Sequence, residues 1–289
     1  MKQVSRLATL LAVASMALVS CGDSFAEELT VHRNIAYVEK GDAKNIADVY
    51  VPAGEGPFPG VLMIHGGAWT TGSKGHMLGH ARTVADAGYT AVAINYRLAP
   101  KHKFPAQIDD CKNAVRWMRN NAEKYKIDTK RIAAYGYSAG GELACLLGTT
   151  DADDGLEGDV GETAKDAPST RIQCVIAGGA PCEFRTMPKN VDVLAYWLGG
   201  TRGEKPENYR LASPTSFATA DDPPVFFFHG DKDRLVPLVS PRSLQAALED
   251  EGVTCKFHTL EGKGHIGAFL DLSSAREAVK FLDATLKKE

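Results

Sequence analysis

The chain reads as an α/β protein built on a mostly parallel sheet, and three observations lead there. Eight short apolar or alternating runs recur along it: 31–40, 45–51, 61–64, 91–94, 132–134, 172–177, 225–228 and 254–260. The first two alternate and flank a short loop beginning Gly41-Asp42, the pattern of an antiparallel hairpin. From residue 61 onward the runs become unbroken apolar stretches separated by segments of helical period. Such runs suit strands buried on both faces, with helices covering each side of the sheet.

Taken in order, Pro52 to Pro59 is a Pro/Gly loop leading into Val61-Leu62-Met63-Ile64, which ends in His65-Gly66-Gly67-Ala68-Trp69. A helix is expected over 76–88, then the strand 91–94 and a loop from Asn95 to Phe104. Pro105 to Tyr125 should be a long amphipathic helix, with Ile108, Ala114, Val115, Trp117 and Met118 as its apolar face. The short strand Ile132-Ala133-Ala134 runs into Gly136-Tyr137-Ser138-Ala139-Gly140, and a helix then buries Leu143, Ala144, Leu146 and Leu147. Residues 151–169 are acidic, rich in glycine and almost free of large apolar groups, so they read as a surface loop. After the strand at 172–177 comes an irregular excursion to about residue 221 containing Tyr196, Trp197 and Leu198. A lid-like wall for a substrate is expected there, within 180–221. The strand 225–228, a helix over 239–251, the strand 254–260 and a closing helix over 272–287 complete the chain.

At 289 residues, with 44% hydrophobic and 24% charged side chains, the chain suits one soluble domain from residue 30 to 289. A net charge of −3 and a pI near 6.3 give no reason to expect a nucleic acid or an anionic surface as partner. No repeat, heptad run or low-complexity tract is evident.

The N-terminus reads differently. Lys2 and Arg6 precede the apolar run Leu7 to Val19, which is short for a membrane span and has the form of a secretory signal peptide. Leu18-Val19-Ser20-Cys21 resembles the bacterial lipobox. That implies a signal peptide of residues 1–20, lipidation of Cys21 as the new N-terminus, and a linker over 21–29. Cleavage after Ala26 is the competing reading. Either exports the protein, to the bacterial cell envelope or beyond it. Loss of residues 1–20 would carry away Lys2 and Arg6 and leave a net charge of −5. Of the five later cysteines, Cys145 and Cys174 sit in apolar runs, and a Cys174–Cys182 bridge is open in an oxidising compartment.

The chemistry rests on Gly136-Tyr137-Ser138-Ala139-Gly140, a G-x-S-x-G match at a strand-to-helix junction. A serine hydroxyl attacks a carbonyl only when a base takes its proton, and a histidine can do this near neutral pH. The segment His229-Gly230-Asp231-Lys232-Asp233 follows one late strand, and Gly262-Lys263-Gly264-His265 follows the next. An acid and a histidine would therefore share one rim of the sheet with Ser138, the rim where open α/β sheets bind ligands. Asp231 is an alternative acid, with turn capping its commoner role. The His65–Ala68 loop and Ala139 could supply backbone N–H groups to a developing oxyanion.

His76 and His80 have a zinc-like i, i+4 spacing, but no glutamate lies between them, and a helix-surface pair is favoured over a metal site. Asp109 and Asp110 read as a solvated helix face, and His65 and His229 as shaping their loops. Trp69 suits core packing and a pocket wall equally well.

HGGAW, NYRLAP, GYSAGG, HGDKDRLVP and GKGH, in that order and spacing, resemble the α/β-hydrolase superfamily. They are most similar to esterases grouped with hormone-sensitive lipase and with bifunctional feruloyl/acetyl-xylan esterases. The resemblance runs from about residue 30 to the end. It implies an α/β-hydrolase fold with an eight-stranded, mostly parallel sheet, an antiparallel opening hairpin and helices on both faces. It also implies Ser138 as nucleophile, His265 as base, Asp233 as acid, and Gly67, Ala68 and Ala139 as oxyanion donors. Ala68 stands where many relatives have a third glycine, which leaves Gly66 as an alternative donor. The acid lacks the D-P-L setting of the lipase group, which favours the feruloyl/acetyl-xylan side.

The expected activity is cofactor-free, metal-free carboxylic ester hydrolysis of small-molecule or carbohydrate esters. Membrane association would come only through the N-terminal lipid. A formamidase, a peptidase or a non-catalytic binding module of the same fold are the alternatives; H-G-G-x-W is shared with kynurenine formamidases, whereas export argues against that activity.

Overall fold

Neighbouring side chains on a strand point to opposite faces, and the run Val225-Phe226-Phe227-Phe228 uses both. Val225 and Phe227 belong to one hydrophobic cluster, and Phe226 and Phe228 to another on the far side of the sheet. Ile132 and Ala134 likewise face the first cluster, while Ala133 and Tyr135 face the second. An apolar run without alternation is thus the mark of a strand covered twice.

A computed structural model describes residues 29–39, 41–158, 167–189 and 191–287. The expected signal peptide, the lipobox-like segment and Cys21 lie outside the described residues. The strands are β1 Thr30–Ala36, β2 Ile46–Val51, β3 Phe58–Ile64, β4 Thr90–Ile94, β5 Ile127–Tyr137, β6 Cys174–Gly178, β7 Val225–Gly230 and β8 Cys255–Leu260. They form one sheet in the order β1-β2-β4-β3-β5-β6-β7-β8. β1 and β2 pair antiparallel, as do β2 and β4, and every later pairing is parallel. This is the α/β-hydrolase sheet that the motifs imply.

The helices are α1 Leu78–Asp86, α2 Ala106–Asn120, α3 Ala139–Thr149, α4 Asp192–Leu198, α5 Pro206–Leu211, α6 Val239–Asp250, α7 His265–Leu270 and α8 Leu272–Leu286. α1 and α8 cover one face, through Ala81, Val84, Ala278 and Leu282. α2, α3 and α6 cover the other, through Ile108, Val115, Leu143, Leu147 and Leu244. Register then decides where the loops meet. Ile64 lies opposite Gly136, Tyr137 opposite Gly178, and Gly230 opposite Leu260. The segments that leave β3, β5, β7 and β8 therefore emerge on one rim.

Several expectations need correction. The helix expected over 105–125 ends at Asn120, and β5 begins at Ile127 because its polar start pairs with Phe58 and Pro59. A 3-10 turn at Lys74–Met77 precedes α1. The acidic 151–169 segment is partly anchored: Leu156 is buried, and Glu157 pairs with the buried Lys112 at 2.5 Å. Its residues 159–166 lie outside the described residues. Asp110 is not solvated but buried, accepting from the Arg97 backbone N–H at 2.7 Å and from its guanidinium. His80 is also buried, with one ring nitrogen 2.9 Å from the Tyr135 hydroxyl and the other 3.1 Å from the Phe269 carbonyl, while His76 is exposed. Cys174 and Cys182 are free thiols on opposite faces of the sheet, so they form no bridge.

Candidate active site

Ser138 sits between the last residue of β5 and the first of α3, at φ 56° and ψ −122°. This left-handed conformation is strained for a residue with a Cβ, at about 1–3 kcal/mol, and two close backbone approaches hold it. A Cβ on Gly136 would lie 1.9 Å from the Gly140 carbonyl oxygen, and one on Gly140 would lie 2.1 Å from that of Ile64. Glycine at both positions lets the turn close. The Ser138 N–H donates to Gly178 O at 2.8 Å, and its carbonyl accepts from Glu142 N at 3.0 Å. The side chain is left half-buried at the mouth of two cavities.

His265, the first residue of α7, lines both of those cavities with Ser138. The sequence reading had no helix here; His265 begins one directly after Gly264. Its Nδ1 is 2.5 Å from Asp233 Oδ2, and the Asp233 side chain is fully buried. The other carboxylate oxygen, Oδ1, accepts from Leu235 N and Val236 N, each at 2.9 Å. Asp231 is turned away and accepts from Gly262 N at 2.7 Å, a turn cap. Between the two candidate acids, only Asp233 reaches the histidine.

Two more groups support this pair. The Tyr137 hydroxyl donates to the His265 carbonyl, and the two rings lie 5.1 Å apart. His229 Nε2 donates to Val236 O at 2.9 Å and lies 3.3 Å from Asp233 Oδ2. Burial pushes the His229 imidazole below its ordinary range, against the opposing pull of Val236 O and the Asp233 carboxylate. A neutral, buried imidazole in contact with the Asp233 carboxylate is more than the loop-shaping role read from sequence.

The His65–Gly72 loop closes the other side. Gly67, Ala68 and Trp69 have φ values of +123°, +51° and +59°. Gly67 O accepts from Thr70 N and Thr71 N at 3.1 and 3.0 Å, and this folds the loop back on itself. Among the described residues, neither the Gly67 nor the Ala68 N–H donates to another backbone group. Ala139, as the first residue of α3, has an N–H that a helix leaves unpaired. These three N–H groups belong to the two segments that border Ser138. His65 braces the loop from beneath: it is buried, stacks on Tyr96 at 4.2 Å and hydrogen-bonds Gly66 O at 2.7 Å. Burial pushes its imidazole down to about 4, with the Gly66 carbonyl opposing.

The two cavities differ in their walls. One, of about 370 Å³, runs between Gly66–Thr71 on one side and Tyr137, Ile266 and Phe269 on the other. The second, of about 220 Å³, is walled by Trp69, Pro181, Phe184, Met187, Val193 and Leu194. Residues 181–194 of its lining come from the 180–221 excursion. Trp69 fills both of its expected roles: it is buried, stacked on Trp197 with ring centres 3.7 Å apart, and it walls the second cavity.

Sequence reasoning passed over Glu142. It is fully buried one turn after Ser138, and one of its oxygens, Oε2, accepts from Trp69 Nε1 at 2.9 Å. A glutamate set among Leu143, Ala144, Leu146 and Leu147 on a helix with no exposed face was the available signal.

Similarities to known proteins agree with this geometry. Esterase LipC of Mycobacterium tuberculosis is 31% identical over 224 residues, 74% of this chain and 54% of that protein. This chain spans about half the length of the curated relatives it matches, 54, 44 and 51% of the first three. Among solved structures, a truncated carbohydrate esterase from gut microbiota superposes with a TM-score of 0.82 at 25% identity, over 91% of this chain and 98% of that one. A bifunctional GH43-CE protein of Bacteroides eggerthii gives 0.81 at 28% identity, over 88% of this chain and 35% of that one. The BD-FAE family model matches residues 47–248, from β2 into α6, and so spans the Ser138 turn, the His65–Gly72 loop and Asp233, while His265 lies beyond it. With that match on this sheet, the chain belongs to the BD-FAE family and has the α/β-hydrolase fold.

Proposed function

We propose that this protein is a serine carboxylesterase that works through an acyl-enzyme on Ser138. The observation that carries the reading is the His265–Asp233 pair at 2.5 Å, with His265 lining the same two cavities as a serine held at φ 56° and the Asp233 side chain buried behind it. Ser138 Oγ attacks the ester carbonyl while His265 Nε2 takes its proton. Asp233 holds Nδ1–H and stabilises the imidazolium that forms. The carbonyl oxygen becomes an oxyanion and accepts from the Gly67, Ala68 and Ala139 N–H groups. Collapse of the tetrahedral intermediate breaks the bond to the alcohol, which leaves with the proton from His265. Water, deprotonated by His265, then releases the acid and restores Ser138.

The substrates we infer are short-chain acyl esters or esters on carbohydrate, such as acetylated or feruloylated polysaccharide fragments. Two features support this: the small apolar cavity of about 220 Å³, and the similarity of the fold to the carbohydrate esterase from gut microbiota. We further propose that the chain is exported and carries lipid on Cys21. Loss of fatty-acid labelling in Cys21→Ala would support that reading, and unchanged labelling would remove it.

Hydrolysis of p-nitrophenyl esters from acetate to decanoate, by wild type and Ser138→Ala, tests the activity. Turnover of acetate and butyrate that Ser138→Ala abolishes is the expected result. No turnover at any length by folded protein would shift the reading to formamide or peptide bonds. Acetate or ferulate release from decorated xylan tests the substrate, and turnover of simple esters alone would remove the polysaccharide.

A further inference from the structure

The oxyanion-binding N–H groups proposed above belong to two separate elements. Ala139 N opens α3, whereas Gly67 N and Ala68 N belong to the loop after β3. An oxyanion needs all of them converging within a few tenths of an ångström. The loop is not a relaxed structure, because Ala68 and Trp69 both hold left-handed φ values, which cost strain in a residue with a Cβ. Something outside the loop must hold it.

We propose that Glu142 is a positioning residue: its carboxyl, accepting from the Trp69 indole, locks the oxyanion loop to the nucleophile's helix. Glu142 lies one turn after Ser138 and donates its own N–H to the Ser138 carbonyl at 3.0 Å. Its Oε2 accepts from Trp69 Nε1 at 2.9 Å, so one side chain spans the two halves of the hole. The Trp69 ring is clamped as well, stacked on Trp197 and edge-on to Phe184 at 5.8 Å, while the Trp69 carbonyl accepts from Ala99 N at 3.0 Å. The indole N–H is therefore the one polar link from this clamped ring to α3.

The arrangement has a cost that an apolar side chain would not. Glu142 is fully buried, and among the described residues its Oε1 has no hydrogen-bond partner. Burial pushes the carboxyl well above the ordinary carboxylate range, with the Trp69 N–H opposing, so the group acts as a neutral acceptor. A glutamine should replace it, because an amide oxygen accepts the same bond.

This inference rests on the acyl-enzyme reading, and the experiment separates the two. Wild type, Ser138→Ala, Glu142→Leu, Glu142→Gln and Trp69→Phe are compared on p-nitrophenyl acetate. The kcat is expressed per active site, titrated with a fluorophosphonate, for every variant that keeps Ser138 and per folded protein for Ser138→Ala, and inhibition by phenylboronic acid, which forms a tetrahedral adduct, is measured alongside. The expected result is a loss on the order of 10²-fold in kcat for Glu142→Leu, the size of a roughly 1 Å misplacement. KM should stay within about threefold, and boronate affinity should fall in parallel, since the loss is confined to the tetrahedral state. Glu142→Gln should stay within about threefold of wild type. Trp69→Phe keeps an aromatic ring between Trp197 and Phe184 but loses the indole N–H with its five-membered ring, so it should lose kcat at least as far as Glu142→Leu and carry the test if the leucine variant fails to fold. Full per-site kcat in Glu142→Leu or Trp69→Phe would overturn the proposal and leave the acyl-enzyme standing. Equal losses in Glu142→Gln and Glu142→Leu would overturn it too, pointing to a proton on Glu142. Activity retained by Ser138→Ala would overturn both readings.

Discussion

The two sides of Ser138 are built by different means. Towards β3 and β5 the site is made of backbone: the close approach of Gly140 to Ile64 O, the left-handed Ala68 and Trp69, and the Gly67 and Ala68 N–H groups, which among the described residues donate to no other backbone group. Towards the 180–221 excursion it is made of side chains: Phe184, Met187, Val193 and Leu194 around a cavity of about 220 Å³. A backbone wall cannot change without moving the sheet, whereas a side-chain wall can be reshaped one residue at a time. The chemistry should therefore be intolerant of substitution and the selectivity tolerant of it.

The largest effect should follow from removing Ser138, the proposed nucleophile. Ser138→Ala should lose on the order of 10⁶-fold in kcat, judged by what removal of a triad serine costs elsewhere. A residual rate near wild type would break the contrast at its root. Asp233→Asn should follow, at roughly 10⁴-fold, because an amide in place of the carboxylate cannot hold His265 with Nδ1 protonated. Steady-state rates at fixed pH with folded protein check both.

On the side-chain wall, Leu194→Trp should leave acetate turnover within about threefold while cutting hexanoate turnover about tenfold or more, since each excluded methylene is worth about 1–3 kcal/mol. An equal loss on both esters would mean that this wall also holds the machinery. An alcohol series run in parallel shows which half of the ester the cavity takes.

The smallest effect concerns stability. His65 braces the backbone wall in its neutral form, held at about 4 by burial, while an unfolded histidine titrates near 6.5. Between those values the unfolded chain binds the proton and the folded one does not, so the wild type loses stability as pH falls from 6.5 to 4. The loss is at most about 3 kcal/mol, reached below pH 4. His65→Gln lacks this penalty. Its deficit against wild type in urea unfolding should therefore shrink as pH is lowered through that window, and a deficit independent of pH would remove the explanation.

How much of this was legible before any coordinates follows the same division. The strand runs, the serine turn and the placement of Asp233 and His265 after late strands are local patterns, readable because periodicity and turn chemistry act over a few residues. Asp110 and His80 were misread as surface groups because their partners, Arg97, Tyr135 and Phe269, come from other elements. α7 was missed because its six residues are too few to show a period. Glu142 was passed over for a similar reason: a carboxyl in an apolar helix has no meaning until the residue that donates to it is known.

From sequence, then, came the class of fold, the order of its strands along the chain and the residue types its chemistry requires. All of these follow from backbone preference and apolar pattern within short windows. The order of strands across the sheet, the hydrogen bond that joins His265 to the Asp233 the resemblance implies, the opposite-face placement of Cys174 and Cys182, and the Glu142–Trp69 link between loop and helix required the tertiary structure. Each depends on which distant segments share a rim or a face, and register across the sheet decides that.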